Sequence, residues 1–206
     1  MNRNCLLGAV LWLCSGVAFA ADQGASASLV EKLERIQTYS SHFQQTILDA
    51  NGNEVQVTEG EFNAQRPGKF YWQTEPPYEQ LVVGNEETVW VYDPDLEQVT
   101  IHQQQLANTP AAILSGDLSE ISQKYRVEQQ KQGKKTVFNL QPVATSGADF
   151  SSLLIAFKGK SLVGLTLIDQ LGQKTEIAFS KIKTNKKMDS TLFEFVAPEG
   201  SDVITQ

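Results

Sequence analysis

The stretch that decides the fold covers residues 65–77 and reads QRPGKFYWQTEPP. An arginine-proline step is followed by three aromatic residues in a row, and two prolines end the segment. Because successive side chains of a β-strand alternate between faces, Phe70 and Trp72 would lie on one face and Tyr71 on the other. A strand with aromatic rings on both faces predicts apolar contacts on both sides of a β-sheet.

The N-terminus has the pattern of a secretory signal peptide. Arg3 precedes an apolar run over residues 5–14, and Ala18-Phe19-Ala20 supplies the small residues of a cleavage site. We expect cleavage after Ala20. This divides the chain into a signal peptide, residues 1–20, and a single domain, residues 21–206.

The two cysteines, Cys5 and Cys14, both lie in this leader. Lipid attachment at Cys14 is disfavoured because the preceding residue, Leu13, is large, so we expect a freely diffusing exported protein. The mature chain would then have no disulfide and no cysteine nucleophile or metal ligand.

The charge is acidic, with 17 lysines and arginines against 24 aspartates and glutamates. Removing Arg3 with the leader changes the net charge from −7 to −8. This balance disfavours nucleic-acid binding and docking on anionic lipid. No later segment approaches the roughly 20 apolar residues of a transmembrane helix, so we expect no stable membrane insertion.

The hydrophobic period changes along the chain from that of a helix to that of strands. Ser28, with Glu31 three residues on, predicts a helix start, and Leu29, Leu33 and Ile36 form its apolar side. Alternation then predicts about eleven short strands. They cover residues 43–48, 55–64, 70–73, 78–83, 88–92, 98–102, 125–129, 136–140, 153–157, 162–168 and 175–182, with a last strand or extended tail at 193–203.

Two short helices, at residues 109–116 and 117–122, interrupt the strands. The pattern predicts a mainly β fold, with one strongly curved antiparallel sheet and helices on one side. Residues 81–83 and 89–92 are apolar on both faces. Either an ordinary core fills the space between sheet and helices, or the inner face lines a cavity for an apolar ligand. The small amount of helix slightly favours a cavity.

Four segments together resemble the LolA family of periplasmic outer-membrane lipoprotein carriers. They are Phe43-Gln44-Gln45 leading to Asp49 and Gly52, Arg66-Pro67-x-x-Phe70-x-Trp72, Gly84 followed by Trp90-x-Tyr92-x-Pro94, and Phe193-x-Phe195-x-x-Pro198-x-Gly200. Each segment is a weak signal alone, but their order and spacing cover essentially the whole mature chain. The resemblance implies an incomplete, half-open antiparallel β-barrel of about eleven strands, with a helical lid over a hydrophobic cavity.

The resemblance also implies a function and partners. The family carries acylated lipoproteins across the periplasm, from an inner-membrane ABC release complex (LolCDE) to an outer-membrane receptor (LolB). We therefore expect a monomeric carrier that is not an enzyme and needs no cofactor. The expected cavity residues, chosen by strand alternation, are Phe62, Phe70, Trp72, Leu81, Val83, Trp90 and Tyr92.

Arg66 is the polar residue to which the resemblance assigns a specific role. It corresponds to an arginine that reaches lid carbonyls and holds the empty carrier shut, and the expected lid contains Pro110, Ile113 and Leu114. Small residues at positions 111 and 112 leave the strength of this lid open. The alternative is an ordinary ion pair of Arg66 with a nearby carboxylate, Glu61 or Glu75.

Enzyme and metal motifs are weak in this sequence. There are two histidines, His42 and His102, and neither G-x-S-x-G nor H-E-x-x-H occurs. Ser180 and Lys183 match S-x-x-K, but residues three apart on a strand point to opposite faces. We therefore expect no catalytic and no metal site. The alternative functions are an envelope lipid-binding or sensor module of the same fold and, much less favoured, a lipid hydrolase.

Overall fold

The structure is a computed structural model that describes residues 20–86, 88–103, 114–143 and 150–205. The predicted signal peptide, apart from Ala20, lies outside the described residues, and so do the lid residues Pro110 and Ile113. Helix α1 covers Ala20–Glu34 and a shorter helix, α2, covers Ile121–Lys124. Two 3₁₀ turns cover Leu118–Glu120 and Ser190–Phe193.

Helix α1 begins well before Ser28, so the predicted helix start is wrong. Ala25 and Ser26 are buried, and they extend the apolar side formed by Leu29 and Leu33 toward the N-terminus. Alanine, the residue with the highest helix propensity, is frequent in this first half and favours the longer helix. Among the described residues, no helix combines the length and the apolar character needed to cross a membrane.

In the described residues, twelve strands form one sheet. They are β1 (Thr38–Leu48), β2 (Glu54–Gln65), β3 (Lys69–Thr74), β4 (Gln80–Asn85), β5 (Thr88–Asp93), β6 (Gln98–Gln103), β7 (Tyr125–Gln132), β8 (Lys135–Pro142), β9 (Phe150–Lys158), β10 (Ser161–Asp169), β11 (Lys174–Thr184) and β12 (Asp202–Thr205). Their order is β12-β6-β5-β4-β3-β2-β1-β11-β10-β9-β8-β7. The sheet is thus two antiparallel meanders, β1–β6 and β7–β11, joined where β1 pairs with β11.

The mainly β, half-open architecture confirms the prediction, because β7 and β12 form free edges and the sheet does not close. Each of the eleven predicted strands is present. The tail forms a 3₁₀ turn up to Phe193, no regular secondary structure over residues 194–201 and a strand at Asp202–Thr205, so only the strand alternative of the prediction is wrong for residues 193–201. This last strand pairs parallel with β6, whereas every other neighbouring pair is antiparallel.

Apolar cores lie on both sides of the sheet. The face covered by α1 is here called the inner face, and the opposite face is called the outer face. The main core, on the inner face, contains the fully buried side chains of Leu29, Leu33, Phe62, Phe138 and Phe157. Val83, Val99 and Phe193 are equally buried but do not belong to this cluster.

Candidate functional site

Aromatic side chains of β2 and β3 cover the inner face beside α1. Phe62 lies opposite Trp72, and Ala64 lies opposite Phe70, so both rings of the RPGKFYW segment that were predicted to share a face do so. Phe62 is 1% exposed and Phe70 is 4% exposed. Trp72 is half-buried and stacks on Phe43 with ring centroids 3.8 Å apart.

Two glycines make room for these rings. Phe70 lies directly over Gly84 on the neighbouring strand, where a Cβ atom would overlap the ring. At Gly60 a Cβ would lie 1.9 Å from the carbonyl oxygen of Gln73 and 2.8 Å from Cζ of Phe43. The absence of a side chain at both positions therefore lets the neighbouring strand and the rings approach closely.

Four residues predicted to line a cavity lie on the other face. Trp72 is paired with Val82, so Leu81 and Val83 point outward. Trp90 is paired with Val83 and Tyr92 with Leu81, which places them on the outer face too. The prediction assigned Leu81, Val83, Trp90 and Tyr92 to the same face as Trp72 and is wrong for them, because alternation within one strand does not fix which residues oppose each other across a turn.

The C-terminal segment covers these outward rings. Phe195 packs against Trp90 and Tyr92, with ring centroids 6.2 Å apart in both pairs. Phe193 is 1% exposed and anchors the segment beside them. The second apolar layer predicted from the sequence is therefore real, but the tail forms it. Val82 and Val89 contact the inner core and are among the inner-face residues that strand alternation did not predict, as is Phe43.

A narrow crevice lies between the end of α1 and the sheet. It is lined by Leu33, Ile36, Gln37, Tyr39, Phe62, Ala64, Arg66, Leu114 and Leu162. Its volume of about 10 Å³ is enough for about one water molecule. Among the described residues, the space between α1 and this part of the sheet is therefore too small to hold an acyl chain.

Arg66 fastens the segment that contains Leu114 to the sheet. One terminal nitrogen of its guanidinium donates to the carbonyl oxygen of Gly116 at 2.6 Å, and the other donates to that of Leu114. The backbone N–H of Gly68 donates to the carbonyl oxygen of Ser115 at 2.8 Å. Three consecutive carbonyls are thus held by the loop between β2 and β3. Leu114 itself is 7% exposed.

The surroundings of Arg66 are partly apolar. Burial lowers the pKa of Arg66 to about 10, and the nearby charge of Glu34 opposes this shift. The guanidinium therefore stays charged at neutral pH. Its Nε is buried and has no acceptor among the described residues. The alternative pairing with Glu61 or Glu75 is not found, since Glu61 lies 3.5 Å from His42 and the Arg66 donors go to carbonyls.

The sequence was compared with models of known protein families. The family described as outer membrane lipoprotein carrier protein LolA matches residues 34–196. The chain belongs to the LolA family.

LolA-family relatives match over almost their whole length. The outer-membrane lipoprotein carrier protein of Azotobacter vinelandii is 42% identical over 201 residues, which cover 94% of this chain and 97% of that protein. The protein of the same name from Pseudomonas entomophila is 41% identical over 192 residues, 92% of each chain. That of Pseudomonas aeruginosa is 39% identical over 203 residues, 98% of this chain and 97% of that protein.

Solved structures share the LolA-type fold at much lower sequence identity. MucB is 12% identical with a TM-score of 0.53, over 90% of this chain and 66% of that chain. An uncharacterized conserved protein from Thermus thermophilus is 14% identical with a TM-score of 0.51, over 87% and 99% of the two chains. These likenesses show the fold.

In this member of the LolA family, the predicted site residues divide into three groups. Phe62, Phe70, Trp72, Arg66 and Leu114 come together around the crevice and the inner face. The second group is the four outward residues beneath the tail, and the third, Pro110 and Ile113, lies outside the described residues. In the parts of the chain that the structure describes, no cluster of metal-ligating side chains is found.

Proposed function

We propose that this chain is a periplasmic carrier that shields the acyl chains of lipoproteins and transfers them from an inner-membrane release complex, LolCDE, to an outer-membrane receptor, LolB. Support comes from relatives named outer-membrane lipoprotein carrier protein, which match nearly the whole chain. The observation that carries the mechanism is the apolar inner face, closed by a segment that three hydrogen bonds attach to the Arg66 loop.

Burial of apolar surface supplies the free energy of carriage. Each methylene moved from water into an apolar environment contributes about 0.8 kcal/mol, so an acyl chain of about fifteen methylenes contributes about 12 kcal/mol. Phe62, Phe70 and Trp72 are the side chains proposed to contact it. Rings and aliphatic groups impose few directional requirements, which suits a carrier of varied cargoes.

The closed crevice must open to accept such a chain. Hydrogen bonds from a charged donor contribute about 1.5–3 kcal/mol each and the bond from the Gly68 N–H about 1 kcal/mol, so releasing all three costs about 4–7 kcal/mol. This cost is smaller than the gain from burying one acyl chain. Cargo can therefore displace the segment around Leu114, and an empty carrier closes again.

No covalent step is needed in this mechanism, so we propose a binding function without catalysis. The positions proposed for the lid are Leu114 and, outside the described residues, Pro110 and Ile113. We also propose that the carrier acts as a monomer, since the cargo is the only apolar partner that the inner face requires.

The decisive experiment is release of a tagged lipoprotein from spheroplasts by the purified mature protein. We expect an intact triacylated lipoprotein in complex with the protein, detected by mass spectrometry. Trp72→Asp, which places a charge on the inner face, should abolish the complex, whereas Val196→Asp, at an exposed position, should not. Free lipid in the complex would favour the lipid-binding module, and released fatty acid would favour a hydrolase.

A further inference from the structure

Lysines gather at one end of the sheet. Lys134 and Lys135 lie at the turn between β7 and β8, Lys158 and Lys160 lie at the turn between β9 and β10, and Lys183 and Lys186 lie at the end of β11. All six are exposed. These six residues are here called the basic end.

Strand pairing brings the three groups to the same end. Lys135 is the direct partner of Lys158 across β8 and β9. Strands β10 and β11 are antiparallel, with Gly164 opposite Ala178. The start of β10 and the end of β11 therefore lie at the same end of the sheet. The lysines are distant in sequence and become neighbours only through this topology.

The lysines of the basic end carry unpaired charge in the part of the chain that the structure describes. Among the described residues, no carboxylate lies within ion-pair distance of any of its six lysines. Lys135 and Lys158 even face each other directly, and like charges at directly opposed positions of a sheet are destabilising. An arrangement that lowers stability and leaves the charge unpaired indicates that the counter-charge comes from outside the protein.

The other end of the sheet is acidic. Its turns carry Asp49, Glu79, Asp93 and Asp169, each exposed or half-buried. The net charge of −7 therefore hides a separation of charge from end to end. An anionic surface that repels the molecule as a whole attracts its basic end and orients it.

The crevice lies at the basic end. Leu162, which follows the β9–β10 turn, and Arg66 both line it. Lys32 of α1 donates to the carbonyl oxygen of Gly159 in the same turn at 3.1 Å, which fixes the helix to the basic end. Contact of this end with a surface therefore brings the crevice close to that surface.

We propose that the basic end docks reversibly on a bilayer surface rich in anionic phospholipid. Six lysines spread over three separate turns and strand ends suit a broad field of phosphates. A single acidic protein site would be matched better by the planar, bidentate groups of arginines. Clusters of this size contribute to membrane attraction at about 1 kcal/mol per lysine near the surface, which is about fivefold in affinity for each. The docking does not depend on the carrier function.

Sedimentation with vesicles tests this proposal. We expect the mature protein to bind vesicles of phosphatidylcholine mixed with phosphatidylglycerol at low salt, to be released at high salt, and not to bind pure phosphatidylcholine. Lys158→Glu/Lys160→Glu should weaken binding by at least about tenfold. The control Arg126→Glu/Lys174→Glu changes the net charge equally at the other end of the strands and should bind as the natural protein does.

Two results would overturn the proposal. The first is failure of the basic end to govern binding: either the natural protein does not bind the anionic vesicles at low salt, or both double variants lose binding equally. Circular dichroism checks that each variant is folded. The second is unchanged vesicle binding by Lys158→Glu/Lys160→Glu together with impaired transfer to membranes that contain the receptor proteins. That second result would assign the basic end to an acidic protein.

Discussion

At the scale of single residues, Arg66 connects the sheet to the segment that closes the crevice. A guanidinium has five N–H donors in a rigid plane, so one side chain can bind two carbonyls at once, here those of Leu114 and Gly116. Gly68, with φ +63, turns the backbone so that its own N–H reaches the carbonyl between them. A lysine at position 66 would have all its donors on one flexible nitrogen, whereas the two terminal nitrogens of arginine are held in one plane at a fixed separation.

Arg66→Leu should keep the fold and cargo uptake but impair handover to the receptor. The two hydrogen bonds to Leu114 and Gly116 are lost, so the closed state no longer competes with cargo. Transfer of a labelled lipoprotein from the carrier to outer membranes measures the effect. Arg126→Leu, at an exposed position on β7, is the control, and equal delivery by the two variants would show that Arg66 is not a latch.

Tyr39 should make stability sensitive to alkaline pH. Burial raises the pKa of its phenol, whose hydroxyl donates to the carbonyl oxygen of Leu162 at 2.9 Å. The unfolded chain has an ordinary tyrosine pKa of about 10, so ionisation above that pH favours unfolding. Arg66, whose pKa is lowered to about 10, shifts stability in the opposite direction in the same range.

Tyr39→Phe should therefore lower the free energy of unfolding by about 1 kcal/mol at neutral pH, where one hydrogen bond is lost. Above pH 10 the natural protein should lose this advantage and become the less stable of the two. Urea unfolding of both proteins at neutral and alkaline pH measures the difference. A difference that does not change with pH would mean that Tyr39 is not the buried titrating group.

At the scale of elements, the sequence predicted what is local. Turn residues and alternation identified the strands, and Asp49 and Asp169 show why: each carboxylate accepts backbone N–H groups two and four residues on and closes its hairpin. Which face of β4 and β5 lies on the inner side could not be predicted from local sequence. It depends on the register across the turn after Thr74, which places Val82 opposite Trp72.

The pairing of Phe70 with Gly84 gives a prediction for β3 and β4. Gly84→Ala should destabilise the protein by about 1–3 kcal/mol, because the new methyl group overlaps the Phe70 ring and forces it away from the sheet. Thermal unfolding measures the change. Gly24→Ala, where nothing lies within 4 Å of the added atom, should be neutral or stabilising, and a similar loss in both variants would contradict the ring-over-glycine contact.

At the scale of the whole molecule, two properties could not be predicted from the sequence. The parallel pairing of β12 with β6 requires the tail to cross the outer face first, and four residues alone do not specify a parallel partner. The separation of charge was hidden in the same way, since the six lysines of the basic end are spread over residues 134–186. Both properties arise only when the two meanders join.

The like-charge pair in the basic end predicts a stabilising substitution. Lys158→Glu should raise the free energy of unfolding by about 0.2–1 kcal/mol, because repulsion from Lys135 becomes attraction. Urea unfolding at low salt measures it. Lys160→Glu changes the net charge equally at the turn itself and should give a smaller gain, so equal gains would show that the cross-strand pair is not responsible.

The division of rings between the two faces provides a built-in optical reporter. Of the three tryptophans, Trp12 belongs to the predicted leader, Trp90 lies beneath the tail, and Trp72 faces the interior on Phe43. Replacing Trp90 by phenylalanine would leave the mature chain with one indole, at the place where acyl chains are proposed to lie. The emission wavelength of that indole would then follow loading and unloading in real time, without an attached dye.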